Sequence, residues 1–252
     1  MLAPDSLTQT LLRTGYARLS ASDVAQWANC QLPDLVRLSP AWNDMPLDQY
    51  LKDGGKYRRR RHSCFVFDGS HLEPTPHRAH WQSVSYNALH GGMERWFEPI
   101  ADSTLAQPIW HKLLLAFGRT AAALQQAHTA SAPQRGCIEA HQFRIDTEGG
   151  IGRPTPEGAH RDGVDLVAVF MVNRQGVKGG ETRVFDVQGT TGERFTLTEP
   201  WSLVLLDDAR VVHETTPIQP LTVNDTADTP TAGGHRDTLV LTCKANTFQQ
   251  QA

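Results

Sequence analysis

The second half of the chain is a succession of short β-rich segments separated by Gly, Pro and Asp, with no helical pattern between them. From residue 137 onward, the candidate strands are 137–146, 164–172, 182–187, 193–198, 201–206, 209–213 and 237–243. Parallel strands need long crossover connections, usually helices, and these spacings leave no room for them. The pattern therefore predicts an antiparallel sandwich or barrel.

Helical signals are concentrated in the first part of the chain. Two short helices are predicted there, one capped by Asp5 or Ser6 and ending before Gly15, the other capped by Ser20 or Ser22 and reaching Trp27. The clearest helix opens at Pro108 and keeps one apolar face to about residue 128, although Gly118 lies within it. That apolar stripe indicates core packing.

The length of 252 residues fits one domain, because all-β barrels often reach this size as a single unit. We expect a mainly β protein with flanking helices (α+β), spanning residues 1–252. Residues 1–136 would form a helix-rich part whose first strands pack on the barrel. Residues 137–248 would form the barrel core.

The net charge and the positions of the cysteines limit which classes of partner and which kinds of site the protein can have. The formal net charge of -3 gives no pull toward nucleic acid or membrane, and no segment approaches the roughly 20 apolar residues of a membrane span. The four cysteines are scattered without a CxxC pair, which disfavours a disulfide framework or a thiolate zinc site. We expect a cytoplasmic protein with a small-molecule partner; the oligomeric state is not indicated.

His160 and Asp162 form the motif that points to chemistry. Two residues apart, they leave the same face of an extended strand, and a third imidazole would complete the two-histidine, one-carboxylate set that holds non-haem Fe(II). His213, at the end of an apolar strand pair, is preferred over His235, which follows a Gly-Gly loop, because a ligand needs a rigid support. A solvent-facing loop histidine and a turn aspartate explain the spacing about equally well.

Arg236 and Thr238 are also two apart, at the start of a predicted strand. A guanidinium fork beside a hydroxyl is well suited to a carboxylate, because arginine donates two parallel hydrogen bonds and the hydroxyl adds a third. A surface arginine beside a loop is the commoner arrangement.

These residues stand within longer segments that resemble one family. The segments are His141-Gln-Phe-Arg144, Pro154-Thr-Pro-Glu-Gly-Ala-His-Arg-Asp-Gly-Val-Asp165, Asn173-Arg174, Gly179-Gly-Glu-Thr-Arg183 and Leu206-Asp-Asp-Ala-Arg-Val-Val-His213. Over roughly residues 57 to 244 the chain is similar to the iron(II)- and 2-oxoglutarate-dependent dioxygenases, in particular to the bacterial family of L-isoleucine 4-hydroxylase, related free amino-acid hydroxylases and biofilm stress and motility proteins.

The resemblance implies a double-stranded β-helix, or jelly roll, with helices packed outside. It implies that His160, Asp162 and His213 bind iron, and that Arg236, helped by Thr238, holds the distal carboxylate of 2-oxoglutarate. The implied chemistry consumes O2, converts 2-oxoglutarate to succinate and CO2, and hydroxylates a substrate carbon. An acidic residue at position 162 favours hydroxylation, because a small residue there would leave room for a halide.

An amino-acid substrate needs a cation for its carboxylate and an acceptor for its ammonium. In the basic run 56–62, strand alternation points Arg59 and Arg61 to one face and Arg58 and Arg60 to the other, so one pair can face a pocket. We take Arg59 and Arg61 as the candidates. A solvated charge run accounts for at least half of these arginines.

Three more candidates and one loop complete the expected substrate site. Gln142 and Arg144 share a strand face and can contact substrate or co-substrate. Asp165 can accept an ammonium hydrogen bond, provided that Gly163 bends the strand toward the metal. The Gly- and Pro-rich stretch 149–158 is either a lid that closes over the substrate or an ordinary surface connection.

The leading hypothesis is an enzyme that hydroxylates an unactivated carbon of a free L-amino acid. Hydroxylation of a peptide or protein side chain is a second hypothesis. A non-catalytic jelly roll that binds a metal or ligand as a stress-regulatory module is a third, and the intact ligand set with Arg236 argues against it.

Overall fold

A computed structural model of the chain describes residues 4–131, 135–189, 191–221 and 233–250. The helices of this part are α1 (Pro4–Thr14), α2 (Ala21–Trp27), α3 (Leu32–Val36), α4 (Asp102–Leu105) and α5 (Pro108–Thr129), with a short 3-10 helix at Ser39–Trp42. The strands are β1 (Tyr16–Leu19), β2 (Arg58–Phe67), β3 (Leu72–Pro74), β4 (Gly136–Asp146), β5 (Leu166–Gln175), β6 (Val177–Gly179), β7 (Thr182–Asp186), β8 (Gly192–Phe195), β9 (Leu203–Asp207), β10 (Val211–Thr215), β11 (Ile218–Pro220) and β12 (His235–Ala245).

The strands form a seven-stranded major sheet, a three-stranded minor sheet and a two-stranded ribbon. Their orders are β1-β9-β5-β12-β4-β2-β3, β10-β7-β8 and β11-β6. Every strand pair is antiparallel. The predicted antiparallel jelly roll with flanking helices is confirmed.

Two apolar layers lie on the two faces of the major sheet. On the outer face, α5 contributes residues such as Leu114 and Phe117 to a core shared with Leu239 and Leu241 of β12. On the inner face, Val167 of β5 packs in a smaller cluster that includes minor-sheet residues. The inner face is apolar only in part, and the remainder of it borders a polar cavity.

The helices follow their sequence signals closely. Ser20 caps α2 with a reciprocal capping box to Asp23. Helix α5 runs unbroken through Gly118, where a Cβ would lie 2.6 Å from the ring of Phe67, so glycine permits the close approach of helix and strand. One prediction is corrected: α1 begins at Pro4, so Asp5 and Ser6 lie inside its first turn, because proline is favoured at a helix start.

The composition of Thr222 through Gly234 predicts a loop, and most of this segment lies outside the described residues. Among the residues that are described, no helix is both long enough and apolar enough to cross a bilayer.

Candidate active site

A β-bridge joins the two histidines of the predicted metal site. The backbone N–H of His160 donates to the His213 carbonyl at 3.0 Å, and the N–H of His213 donates back at 2.9 Å. His213 stands on β10, whereas His160 and Asp162 lie in an irregular segment before β5, not on the regular strand that their spacing suggested. His235 lies apart from this cluster, within hydrogen-bond distance of Asn173.

The three side chains converge without hydrogen bonding to one another. Each Asp162 carboxylate oxygen lies 3.7 Å from the Nε2 atom of one histidine, and one ligand atom from each residue lies within 4.8 Å of the others. These separations are too long for hydrogen bonds. They suit donors arranged around a cation, and two imidazoles with one carboxylate are the donor set of a non-haem iron site.

The side chain of Asp208 holds the backbone of the segment that carries Asp162 in place. Its buried carboxylate accepts the backbone N–H groups of Asp162, Gly163 and Val164 at 2.9, 2.7 and 3.1 Å. Gly163 has φ +77°, a left-handed conformation that glycine adopts without strain. The side chain of Gln82 also donates to the Asp162 carboxylate, at 2.9 Å.

The titration of the cluster reflects burial and mutual charge. Burial, then the charge of His160, lowers the pKa of His213 to about 3. Burial alone would lower the pKa of His160, but the nearby carboxylates of Asp162 and Glu157 raise it. Burial also raises the pKa of Asp162, against the opposing effect of His160. Each carboxylate thus favours a positive charge at the point where the imidazole nitrogens meet.

The metal cluster opens into a cavity of about 890 Å³, its open mouth included. Arg236 and Thr238 line it from β12 and are 3% and 2% exposed. The Nε and Nη2 atoms of Arg236 have no hydrogen-bond partner in the described part of the chain. Burial, then the charge of Arg174, lowers the pKa of Arg236 to about 10, so the group remains a cation at neutral pH. An unpaired buried guanidinium is costly, and a carboxylate ligand fits it.

The strand register decides which arginines reach the cavity. Arg58 and Arg60 of β2 line it and are each 5% exposed. The candidates Arg59 and Arg61 point to the other face, where Arg59 donates to the Met45 carbonyl and Arg61 pairs with Glu98. The predicted alternation is therefore present, but the structure does not bring Arg59 and Arg61 to the cavity.

The other substrate candidates also lie away from the cavity. Gln142 and Arg144 share a face of β4, as expected, but residues 141, 143 and 145 are the ones that line the cavity. Arg144 forms a two-point ion pair with Asp237, with both distances 2.7 Å. The Asp165 carboxylate accepts the backbone N–H of Ala245, so the turn at Gly163 does not aim it at the metal.

The predicted lid segment 149–158 borders the cavity through Pro154, Thr155 and Glu157. Thr155 is held against β10, because its hydroxyl donates to the carbonyl of Thr215 at 2.9 Å. Closure of this segment over a substrate stays a prediction.

Several cavity residues were not singled out from the sequence. They include His80, Gln82, Asn87, Arg95, His141, Glu157, Val164, Val169, Thr215, Val240, Thr242 and Gln249. The segment that carries the first four has almost no regular structure, so periodicity gives no signal there. His141 could have been found by strand alternation from Phe143, had the inner face of β4 been known.

Comparisons with known proteins agree with this geometry. A family model described as 2OG-Fe dioxygenase matches residues 39–242. A BsmA homologue from Methylobium petroleophilum PM1 is 50% identical, with a TM-score of 0.89 and coverage of 100% of this chain and 96% of the homologue. No curated protein matches significantly.

Two further solved structures share the fold at low identity. IDO from Bacillus thuringiensis is 17% identical with a TM-score of 0.76, covering 97% of this chain and 96% of that protein. The Fe(II)/(alpha)ketoglutarate-dependent dioxygenase TqaL is 19% identical with a TM-score of 0.70, covering 99% and 92%.

Proposed function

Since the chain belongs to the 2OG-Fe dioxygenase family, we propose that it hydroxylates an unactivated carbon of a free L-amino acid. The family uses Fe(II), 2-oxoglutarate and O2. The finer placement, among hydroxylases that resemble L-isoleucine 4-hydroxylase, is part of the same proposal.

The roles at the metal end follow from the donor atoms. His160, Asp162 and His213 would hold Fe(II), and Arg236 with Thr238 would bind the distal carboxylate of 2-oxoglutarate. Bound iron and 2-oxoglutarate supply the O2-dependent oxidation of a C–H bond. Gln82 and Asp208 keep Asp162 oriented through the hydrogen bonds described above.

The charge pattern on the β2 side of the cavity carries the amino-acid proposal. Arg58, Arg60 and Arg95 are buried there. Among the described residues, only Arg58 of these three has a carboxylate at salt-bridge distance, Asp48 at 2.7 Å. The same cavity holds Glu157, whose Oε2 atom is buried without a hydrogen-bond partner among the described residues. The other carboxylate oxygen of Glu157, Oε1, lies 3.6 Å from Nε2 of His160. Guanidinium groups without a carboxylate partner, near a carboxylate with one free oxygen, fit a zwitterion, with its carboxylate toward arginine and its ammonium toward Glu157.

Strand register leaves room for two carboxylate ligands. Arg58 and Arg236 both pair with Ile145 of β4, from opposite sides. The two arginines are therefore two strand spacings apart, about 10 Å. One guanidinium is then available to 2-oxoglutarate while those of β2 serve the substrate. A peptide-bound residue lacks both terminal charges and would leave these groups unpaired.

The test uses anaerobic protein loaded with Fe(II) and 2-oxoglutarate, exposed to O2 with a pool of the common L-amino acids. We expect succinate together with an amino acid that has gained one oxygen atom. A parallel pool of N-acetylated amino-acid amides represents peptide-bound residues, and product from that pool alone would replace a free amino acid by a peptide substrate.

Two variants serve as the inactive and the active control of this assay. Asp162→Ala should abolish coupled turnover because it removes an iron ligand. Asp237→Asn alters a buried carboxylate on the opposite face of the major sheet and should retain turnover. Iron binding without oxidation of either pool would contradict the proposed substrate class, and absence of iron binding would contradict the enzyme assignment itself.

A further inference from the structure

A second polar cluster lies deep in the major sheet beside the cavity. It consists of His62 on β2, Glu139 and His141 on β4, and His80 from the connection between β3 and α4, all at most 7% exposed. Glu139 Oε2 lies 2.9 Å from His62 Nε2, 2.6 Å from His80 Nδ1 and 3.7 Å from His141 Nε2. A single carboxylate oxygen is thus surrounded by three imidazoles.

The residue types resemble a metal site, but the distances favour hydrogen bonds. Ligand atoms about 2.1 Å from one ion, at right angles to one another, are about 3 Å apart, and tetrahedral ligands are farther apart still. The contact of 2.6 Å between Glu139 and His80 is shorter than either and has the length of a charge-assisted hydrogen bond. The iron cluster differs, since its corresponding distances are 3.7 Å.

The neighbouring arginine gives a second argument against a metal. Arg60 Nη2 lies 3.0 Å from His141 Nδ1. Arginine can only donate, so Nδ1 must carry a lone pair and the ring proton must be on Nε2, toward Glu139. A metal on that Nε2 would need the proton at Nδ1, where it would face the N–H of Arg60.

The protonation states agree with a hydrogen-bonded network. Burial is the largest cause that lowers the pKa of His80, to about 3, and that of His141, and it also lowers the pKa of His62. Burial alone would raise the pKa of Glu139, but His80 and His62 hold it below its ordinary value. The cluster is then one carboxylate that accepts hydrogen bonds from the neutral imidazoles of His62 and His80, with His141 next to them.

Arg60 is the cavity-lining group that this network positions. Its guanidinium carbon lies 4.1 Å from the ring centre of Phe97 and 4.6 Å from that of Phe143, and its Nη2 is directed at His141. In the described part of the chain its Nε has no hydrogen-bond partner, and it has no carboxylate within salt-bridge distance. A buried cation held on two aromatic rings and one imidazole still lacks an anion.

We infer that Arg60 binds the carboxylate of the substrate, and that His141, which lies beside the metal-free Glu139 network, is the residue that positions Arg60. This inference rests on the proposed function for the identity of the ligand. It selects one of the three arginines on the β2 side and gives the buried histidines a role outside the iron site.

Three variants separate the binding group from its support. Arg60→Met removes the anchor. His141→Phe keeps a ring beside His62 but removes the acceptor for Arg60, and His141→Asn restores an acceptor, because the Asn side-chain oxygen can take the place of Nδ1. The matched control is Arg61→Met, the next residue of β2, whose side chain is on the other face.

The probes are a pool of the common L-amino acids and a pool of their C-terminal amides, which lack the carboxylate. The measurement is the rise in thermal midpoint that each pool causes in anaerobic protein loaded with Fe(II) and 2-oxoglutarate, followed by KM and kcat for any amino acid that is turned over. In wild type and Arg61→Met we expect stabilisation by the acids and much less by the amides.

Arg60→Met should weaken binding of the acids at least about 30-fold, because truncating one partner of a buried charge pair is costly. It should leave the weak response to the amides unchanged. His141→Phe should raise KM roughly 5- to 10-fold with little effect on kcat, since one hydrogen bond to a charged group is lost, and His141→Asn should recover most of that loss.

The outcomes separate this inference from the proposed function. Binding of the acids by Arg60→Met as tightly as by wild type would overturn the carboxylate subsite and leave the amino-acid substrate standing. No response of wild type to either pool would overturn both. Metal analysis of the purified protein should give one equivalent per chain, and a second equivalent that is lost in Glu139→Gln would overturn the metal-free network.

Discussion

Replacing Asp208 by asparagine should weaken iron binding more than it weakens the fold. Asp208 does not belong to the proposed ligand set, yet its two carboxylate oxygens accept three consecutive backbone N–H groups, of which the first belongs to the proposed ligand Asp162. Asparagine has the same shape but offers one acceptor oxygen and one N–H donor. At least one backbone N–H of the iron-binding turn then faces another donor.

The magnitude follows from two opposing effects. A hydrogen bond to a charged acceptor contributes about 1.5–3 kcal/mol, and the bonds that remain become weaker, neutral ones. Burial and the charge of Asp162 raise the pKa of Asp208, which means that the metal-free protein gains some relief when this carboxylate is neutralised. We expect a net loss of about 1–2 kcal/mol in unfolding free energy, or roughly 2–8 °C in a chain of this size.

Iron affinity should respond more strongly, because the bound state requires Asp162 ionised and fixed in place. Loss of a supporting contact to a metal ligand typically weakens metal binding about 10- to 100-fold. The assay is anaerobic Fe(II) titration by calorimetry beside thermal denaturation of the metal-free protein. Asp186→Asn is the control, since Asp186 also accepts two backbone N–H groups, at 2.7 and 3.1 Å, but in a turn outside the cavity. An iron Kd within twofold of wild type, with the two variants equally destabilised, would refute the argument.

Three further predictions concern the cavity and its supports. Arg236→Met should raise the Kd of 2-oxoglutarate at least about 30-fold in anaerobic calorimetry while the Fe(II) Kd stays the same; a parallel loss of iron would contradict a separate anchor. Gly118→Ala should lower the thermal midpoint, because overpacking against Phe67, about 1–3 kcal/mol, exceeds the helix propensity gain of about 1 kcal/mol; an unchanged or higher midpoint would mean that the Phe67 ring moves aside. Burial alone would raise the pKa of Asp48, but Arg58 lowers it below the ordinary value of 3.8. The ionised form of Asp48 therefore stabilises the fold above pH 3.8, and this contribution is lost as the pH falls through the folded-state pKa. Asp48→Asn should therefore lose stability at neutral pH and show a smaller further loss on acidification, which circular dichroism against pH measures; parallel pH curves for the two proteins would contradict this.

The sequence predicts the iron cluster better than its surroundings because ligand chemistry needs only residue type, order and a rigid support. His160 and Asp162 meet His213 as the two-residue spacing and the later apolar strand suggested. The local structure that brings them together differs from the predicted one, since a β-bridge and the turn held by Asp208 take the place of a regular strand. Asp208 itself carries no such signal, because its partners are backbone groups that any residue would supply.

Strand alternation was predicted correctly, but alternation alone could not assign the residues that bind the substrate. Alternation separates Arg58 and Arg60 from Arg59 and Arg61, but only the pairing of β2 with β4 decides which set faces the cavity. The usual guide, apolar residues inside, is reversed at this end of the sheet. Leu239 and Leu241 face the helices on the outside, whereas the inner face holds guanidinium and imidazole groups.

The buried arginines on the inner face of the sheet link ligand binding to the stability of the fold. A protein that buries Arg60 and Arg236 without anions bears the cost of desolvating two cations, and each carboxylate that binds removes one of these penalties. Ligand that binds only the folded state stabilises it by about 2.7 kcal/mol at a concentration 100 times its Kd. For the same reason the two stabilisations should be separable, since the proposed site for 2-oxoglutarate is Arg236 on β12 and the proposed site for the substrate carboxylate is Arg60 on β2, with β4 between them. Loss of one anchor should therefore abolish the stabilisation by its own ligand and leave that by the other.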